Sequence, residues 1–451
     1  MSRHVNNAGS GSDVFSLARF FSPRLSSFLA PFLLELDRLL DRRLVHTFSG
    51  LCESILRHRS RPTSLLLTEL GEVLLSADKA PAGTKRISNL LRSARWHAGV
   101  IADYLARQAQ AYAQELLEKQ ELVLLLWDES VQEKPESLES EGLCAVRSSK
   151  AKRLLRIKRG YYEPPTREAV HVPGLRWVGL LLCGLKAQPL VASFRWWTSR
   201  GKQATTLAQV RLGLLQWARE TFASAVLHVF DRGYASSQWL GLLLARGDRF
   251  LMRWPSAYKL VDALGRARRA SLFSVGRKAT SSQLVWDIKR KCRLRRSLLW
   301  MPCLHPHYPD RPLTLIICRP GRKGRQPWYL LTNQEVKSDR EAWRLVHAYA
   351  RRWQIEQSFR FSKAELGMES CRLWFWENKM KLLQTVTLVY AFLLSLLEEQ
   401  LTERVSQLLR QGCHRTGKRY REASTPLYRI RLALANLLNE FIAYSRLKNS
   451  G

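Results

Sequence analysis

The run from Ser338 to Gly367 constrains this 451-residue chain more than any other stretch, because it carries the start and stop signals of a single helix. Ser338 with Glu341 three residues on makes a capping box, neither Pro nor Gly interrupts the run to Lys363, and Gly367 supplies the stop. The expected helix is about seven turns long. At ~100° per residue, Tyr349, Arg352, Glu356 and Lys363 fall inside a sector of about 60°. One face therefore gathers a phenol, a guanidinium, a carboxylate and an ammonium. A solvated ion-pair ladder would scatter its charges, whereas here one carboxylate stands between cations on a single line. With 13 Tyr, 73 Lys+Arg and 38 Asp+Glu in the chain, this spacing should arise by chance only about 0.03 times. It is the layout wanted where a metal-ligating carboxylate stands beside phosphates.

Charge points the same way. A formal net charge of +35 calls for a polyanionic partner, nucleic acid before anionic membrane. The 46% hydrophobic content supports a globular chain with a large core. Leu382 to Leu397 is the longest apolar run, but Gln384, Thr385, Thr387 and Ser395 interrupt it and it falls short of the ~20 residues of a bilayer span, so a buried helix is expected. Met1 to Asp13 is polar and Gly/Ser-rich, unlike a signal sequence, so the expected location is the cytoplasm, with the nucleoid, and without a membrane. The eight cysteines form no CxxC pair, which fits a reducing compartment. Cys292, Cys303, His305, His307 and Cys318 could offer zinc ligands, but their spacing is unpaired and broken by prolines, which argues against zinc.

Along the chain, residues 1 to about 12 read as a flexible tail and residues up to 120 as helical, punctuated by Pro23, Pro62 and Pro81. Within this region Thr84 to Trp96 mixes basic and polar residues, as either a groove-reading helix or a basic surface would. At Glu121 the period changes. Leu122 to Trp127 is a buried-strand run ending in Asp128, and Ala225 to Phe230 is another ending in Asp231. Between them lie a hairpin, Trp177 to Leu185 with Leu190 to Trp197, and a helix, Ala204 to Phe222. A further helix, Ser236 to Ala245, and a strand, Phe250 to Trp254, follow. Two stretches are strongly basic. Gly142 to Gly160 holds seven basic and no acidic residues, and Arg266 to Arg296 holds eleven Lys/Arg and one Asp; both suit a phosphate track. Residues 256–328 read as a β-rich insertion, and the chain is expected to end in helices at Leu382 to Leu409 and Leu427 to Leu447.

The spacing Tyr349-(2)-Arg352-(3)-Glu356-(6)-Lys363 resembles the Y-(2)-R-(3)-E-(6)-K signature of bacterial insertion-sequence transposases of the DDE type. Asp231-Arg232-Gly233-Tyr234 is similar to a segment around that family's second aspartate. The resemblance covers about Leu122 to Gly367. It implies an α/β fold: a ribonuclease-H-like catalytic domain over 121–375 with the insertion at 256–328, a helical DNA-end-binding region over 1–120, and a helical C-terminal region over 376–451. It implies catalytic carboxylates at Asp128, Asp231 and Glu356, two Mg²⁺ or Mn²⁺ ions held by them, and a homodimer acting on double-stranded DNA with terminal inverted repeats. Arg352 and Lys363 would hold phosphates, Tyr349 would contact the DNA backbone, and Trp328 would stack on a flipped base. Arg232 and the loop residues Arg147, Lys150, Lys152 and Arg153 complete the expected DNA contacts.

Each aspartate alone is weak evidence, because a strand-terminal Asp commonly caps a turn or helix. Glu129 competes with Asp128 but should point to the other face of its strand. His228 is expected to pack in the core. The alternative to a transposase is a catalytically silent DNA-binding protein derived from one, which would not need all three carboxylates.

Overall fold

The computed structural model describes residues 11–60, 63–134, 140–148, 171–287, 292–321, 326–412 and 427–449. The tail expected at the start lies almost wholly outside these residues, as do Pro62 and most of the basic loop. The first helix, α1 (Gly11–Asp37), runs through both Pro23 and Pro31, so Pro23 does not punctuate it as expected. Each internal Pro costs about 3 kcal/mol or more. The buried stripe Phe21, Leu25, Leu29, Phe32 and Leu36 offsets that, at ~1.5–3 kcal/mol per side chain. Asp41 caps α2 (Arg42–Arg57) by accepting from the backbone N–H groups of Arg43 and Leu44. Helices α3 (Leu67–Leu74) and α4 (Ala80–Arg92) cross where Gly71 meets Gly83, and a Cβ on either would strike the backbone of the other helix. The basic segment expected to run on to Trp96 stops as helix at Arg92. Trp96 turns into the core instead, its Nε1 donating to Leu90 O at 2.8 Å. Lys85, Arg86, Asn89 and Arg92 remain exposed on α4. Helix α5 (Gly99–Glu118) leads into the sheet.

Strand β1 (Leu124–Glu133) outruns its apolar stretch. After β2 (Cys144–Arg147), the long strand β3 (His171–Cys183) pairs antiparallel with β1 from Leu124↔Cys183 to Glu133↔Gly174, and this ladder carries β1 past Trp127. Asp128 is therefore mid-strand, which corrects its expected place at a strand end. Strand β4 (Leu190–Trp197) completes the hairpin, and Thr206 with Gln209 forms a capping box on α6 (Leu207–Phe222). Strand β5 (Leu227–Phe230) then runs parallel to β1, followed by α7 (Ser237–Arg246) and the parallel strand β6 (Phe250–Arg253).

The insertion does not stand apart from this sheet. The strands β7 (Lys259–Val261), β8 (Ala267–Arg269), β9 (Ser281–Asp287), β10 (Cys292–His305) and β11 (Tyr308–Pro320) join it through β12 (Trp328–Thr332), which pairs with β6. The order is β2-β3-β1-β5-β6-β12-β11-β10-β7-β8, with β4 on β3 and β9 on β10. Alternation along β1 and β3 divides the core into two layers. Leu125, Trp127, Val178 and Leu180 share one apolar cluster with residues of α5, α6 and α7. Leu124, Leu126, Trp177 and Leu181 share the other with the N-terminal helices and the helices that follow β12.

Those later helices depart twice from expectation. The signature run is not one helix but two, α8 (Asp339–Arg351) and α9 (Trp353–Ala364), interrupted at Arg352. The run expected over Leu382 to Leu409 is also two, α10 (Trp376–Ser395) and α11 (Thr402–Gly412), with a bend of 72° between the Trp376–Ser395 and Glu399–Gly412 segments. The bend falls at the polar stretch Glu398-Glu399-Gln400, where burial of the helix ends. Inside α10 most polar groups are satisfied: Thr385 and Thr387 donate to carbonyls one turn back, Lys381 donates to Leu91 O and Ser93 O, and Gln384 Nε2 donates to Phe194 O while its Oε1 has no partner. No single helix among the described residues is long and apolar enough to cross a membrane.

The last helix, α12 (Leu427–Asn449), packs on α1, α2 and α11. Its buried Arg431 donates to the carbonyls of Ile55, Leu56 and His58 at the end of α2, which suits a cation at a helix C-terminus. The terminal helical regions are thus one layer. Arg431→Met strips those carbonyls of their donor and should destabilise the fold by about 1–3 kcal/mol, read as a lowered midpoint in chemical denaturation.

Candidate active site

The register of the sheet brings the two aspartates together. Leu126 pairs with Val229 on the parallel strands β1 and β5, so two residues further on, Asp128 and Asp231 stand level and on the same side. Across the antiparallel ladder Asp128 faces Gly179. The missing side chain there admits the Phe359 ring of α9, which a Cβ on Gly179 would approach to 2.5 Å. Phe359 packs on Trp177 of β3 at 4.6 Å and on Phe194 of β4 at 5.7 Å between ring centroids. This seating fixes α9 against the sheet, and Glu356, one turn before Phe359, turns to the same point as the aspartates.

That point is the guanidinium of Arg352. Its Nη1 donates to Asp128 Oδ2 at 3.1 Å, its Nε lies 4.0 Å from Asp231 Oδ1, and its Nη2 pairs with Glu356 Oε1. The interruption between α8 and α9 falls on this residue. Arg352 N–H donates to Tyr349 O and Ile355 N–H to Arg352 O, three residues back rather than four, while Arg352 keeps helical dihedrals. The backbone tightens by a turn of 3₁₀ type at the position whose side chain reaches across to β1. Glu129 points the other way, as expected, and pairs with Arg211 of α6 at 2.6 Å.

Burial pushes the Asp128 carboxyl up to about 7, opposed by the Arg352 guanidinium and the Glu129 N–H. Burial works against the charge on Arg352 as well, but Tyr349 and the three carboxylates around it raise its pKa overall, so it stays a cation. The Tyr349 phenol is raised by burial, with Arg352 opposing.

The remaining expected residues divide. Lys363 donates to Ser130 Oγ of β1 at 2.7 Å, so the signature lysine stands two residues along the strand from Asp128. Tyr349, the residue expected to contact the DNA backbone, is buried, 4% exposed, with its ring against Trp328 at 5.2 Å. The helix turns its phenol inward because Trp328 and Arg352 pack on that face. Trp328 is half-buried, and the Arg296 guanidinium covers its ring at 4.1 Å. Arg232 and Arg147 are exposed, while Lys150, Lys152 and Arg153 lie outside the described residues. His228 is buried and neutral, its pKa lowered to about 4 by desolvation, and its Nδ1 accepts from Trp127 Nε1 at 3.0 Å. The zinc candidates do not assemble: His305 turns to Trp254, Tyr308 and Ser237. Gly179, Arg211 and Ser130 escaped the sequence reading, because only the register reveals what stands opposite Asp128.

Comparison with known proteins bears on this site. Residues 202–392 match the model of the transposase DDE domain. The matched segment contains Asp231 and Glu356, and Asp128 lies upstream of it. No curated protein sequence matches the chain. A cryo-EM structure of the piggyBac transposase synaptic complex with hairpin DNA is similar to the chain at 13% identity and a TM-score of 0.41, over 99% of this chain and 83% of that one.

The seating of α9 has a direct test. Gly179→Val places two methyl groups where Phe359 lies and should displace Glu356 from the aspartates. We expect divalent-cation affinity to fall about tenfold or more, a loss of ~1.4 kcal/mol or more, with the far-ultraviolet circular dichroism spectrum retained.

Proposed function

We propose that the chain is a DDE transposase that cuts and joins DNA strands at the ends of an insertion sequence, with Asp128, Asp231 and Glu356 as its catalytic carboxylates. One observation carries this reading: three acidic residues distant in sequence converge on one cation at one end of the parallel strands. The match of residues 202–392 to the transposase DDE domain agrees with it. A ribonuclease-H-like catalytic core is supported by the order β4-β3-β1-β5-β6, antiparallel on one side of β1 and parallel on the other.

The donor set suits Mg²⁺ or Mn²⁺, because hard divalent ions take carboxylate oxygens and all three groups here already share one positive partner. Among the described residues no trio of His, Cys, Asp or Glu is arranged to clasp an ion as it stands, since the guanidinium keeps the carboxylates apart. Two such ions, when bound, supply an activated water and neutralise charge on the attacking and leaving oxygens. Asp128 and Asp231 hold the site from rigid strands and Glu356 closes it from α9. Arg352 and Lys363, as cations on either side of Glu356, bind and orient the phosphates. Trp328 stands behind Tyr349 as the candidate to stack on an unpaired base, a contribution of about 1–3 kcal/mol. The partner is double-stranded DNA with terminal inverted repeats, drawn by the +35 charge, and two copies acting on paired ends would release the element in one event. A silent DNA-binding descendant has less support, because binding alone needs no cluster of carboxylates beside the phosphate path.

Asp128→Asn, Asp231→Asn and Glu356→Gln should each abolish strand cleavage of a supercoiled donor carrying the cognate ends while end binding survives. Cutting at near wild-type rate by any one of them removes that residue from the catalytic set. Neutralising Arg147, Lys150, Lys152 and Arg153 together should flatten the slope of log affinity against log salt by up to about a few units; an unchanged slope puts this loop off the DNA.

A further inference from the structure

We propose that Arg352 is the resting counter-cation of the carboxylate cluster and that divalent ions load by displacing it. This deepens the transposase reading and rests on it. Three carboxyl groups surround one guanidinium, so the cluster is left with excess negative charge. A guanidinium satisfies the oxygens by directed hydrogen bonds in one plane, whereas a small dication draws them inward from all sides. The two cannot hold the same oxygens at once: Asp128 Oδ2 and Glu356 Oε1, the atoms bonded to Arg352, face the centre of the cluster. Asp128 Oδ1 is engaged elsewhere, by the Glu129 N–H at 2.9 Å.

The surroundings let the arginine leave without unfolding anything. Its backbone stands at the junction of α8 and α9, bonded by two i→i−3 contacts rather than locked in a continuous i→i−4 ladder. The helices themselves are anchored by other residues, α8 by the Ser338 cap and α9 by Phe359. Released from the carboxylates, the guanidinium remains next to them, positioned to take a phosphate oxygen as the dication takes its former partners. One residue would then neutralise the cluster before loading and hold the substrate's charge after it. Cation loading and phosphate binding become linked, because each draws Arg352 to the same side.

The test is binding of Ca²⁺ and Mn²⁺ to the full chain without DNA, by calorimetry and by the cation-induced rise in melting temperature. Wild type is compared with Arg352→Gln, Arg352→Lys and, as the ligand control, Asp128→Asn. Removing the competitor should tighten the first ion at least fivefold in Arg352→Gln and enlarge its melting-temperature gain above that of wild type. Arg352→Lys, whose ammonium cannot span all three carboxylates, should fall between. Equal or weaker cation affinity in a folded Arg352→Gln overturns the inference while leaving the carboxylates as metal ligands. If Arg352→Gln does not fold, the lysine variant decides: tighter binding than wild type supports displacement and unchanged binding overturns it. Should wild type and both arginine variants bind no divalent ion, the transposase reading fails, and the inference with it.

Discussion

Three carboxylates can stand at one end of a sheet only if a positive charge stands among them. At separations of a few ångströms and in a partly desolvated site, their mutual repulsion would otherwise protonate one of them or push the elements apart. The guanidinium of Arg352 is that charge, and the local architecture follows from bringing it into reach. The signature helix is interrupted where the arginine must cross to β1. Gly179 is bare where Phe359 must settle for Glu356 to arrive. The phenol of Tyr349 is turned inward against Trp328 behind the same guanidinium.

Around this point the molecule is continuous. The insertion prolongs the main sheet through the pairing of β12 with β6, so Trp328 at the start of β12 is held in register with the strands that carry the aspartates. Helices α1 to α4 and those after α9 close over the same side of the sheet, with α10 buried among them, while α5 reaches both apolar clusters. Basic side chains do structural work here as well as facing outward: Lys381 and Arg431 each end a helix of the N-terminal region by donating to its last carbonyls. Part of the +35 charge is therefore internal and unavailable to DNA.

Much of the catalytic core was legible because its elements are short and locally specified. The apolar run before Asp231, the hairpin of β3 and β4, and the cap at Ser338 all form where the residues call for them. The spacing of Tyr349, Arg352, Glu356 and Lys363 picked out residues that gather around one guanidinium, but not their geometry. It treats the helix as continuous, and the interruption at Arg352 and the burial of Tyr349 beside it against Trp328 do not follow from spacing. What failed did so through tertiary forces. The antiparallel ladder to β3 extends β1 beyond its apolar residues, packing holds α1 through two prolines, and α10 ends where its burial ends. A pairing partner or a neighbouring helix decides each of these, and neither is written in the local sequence.

The closing of α10 between the N-terminal helices carries a consequence for how the chain is made. A chain emerges from the ribosome from its N-terminus, and domains generally fold as they appear. Here the apolar faces of α2, α4 and α5 are matched by a helix encoded about 260 residues after Lys119, with the entire catalytic sheet lying between. The helical layer is thus begun before the sheet and completed after it. Until α10 arrives Lys381 cannot cap α4, and until α12 arrives Arg431 cannot cap α2.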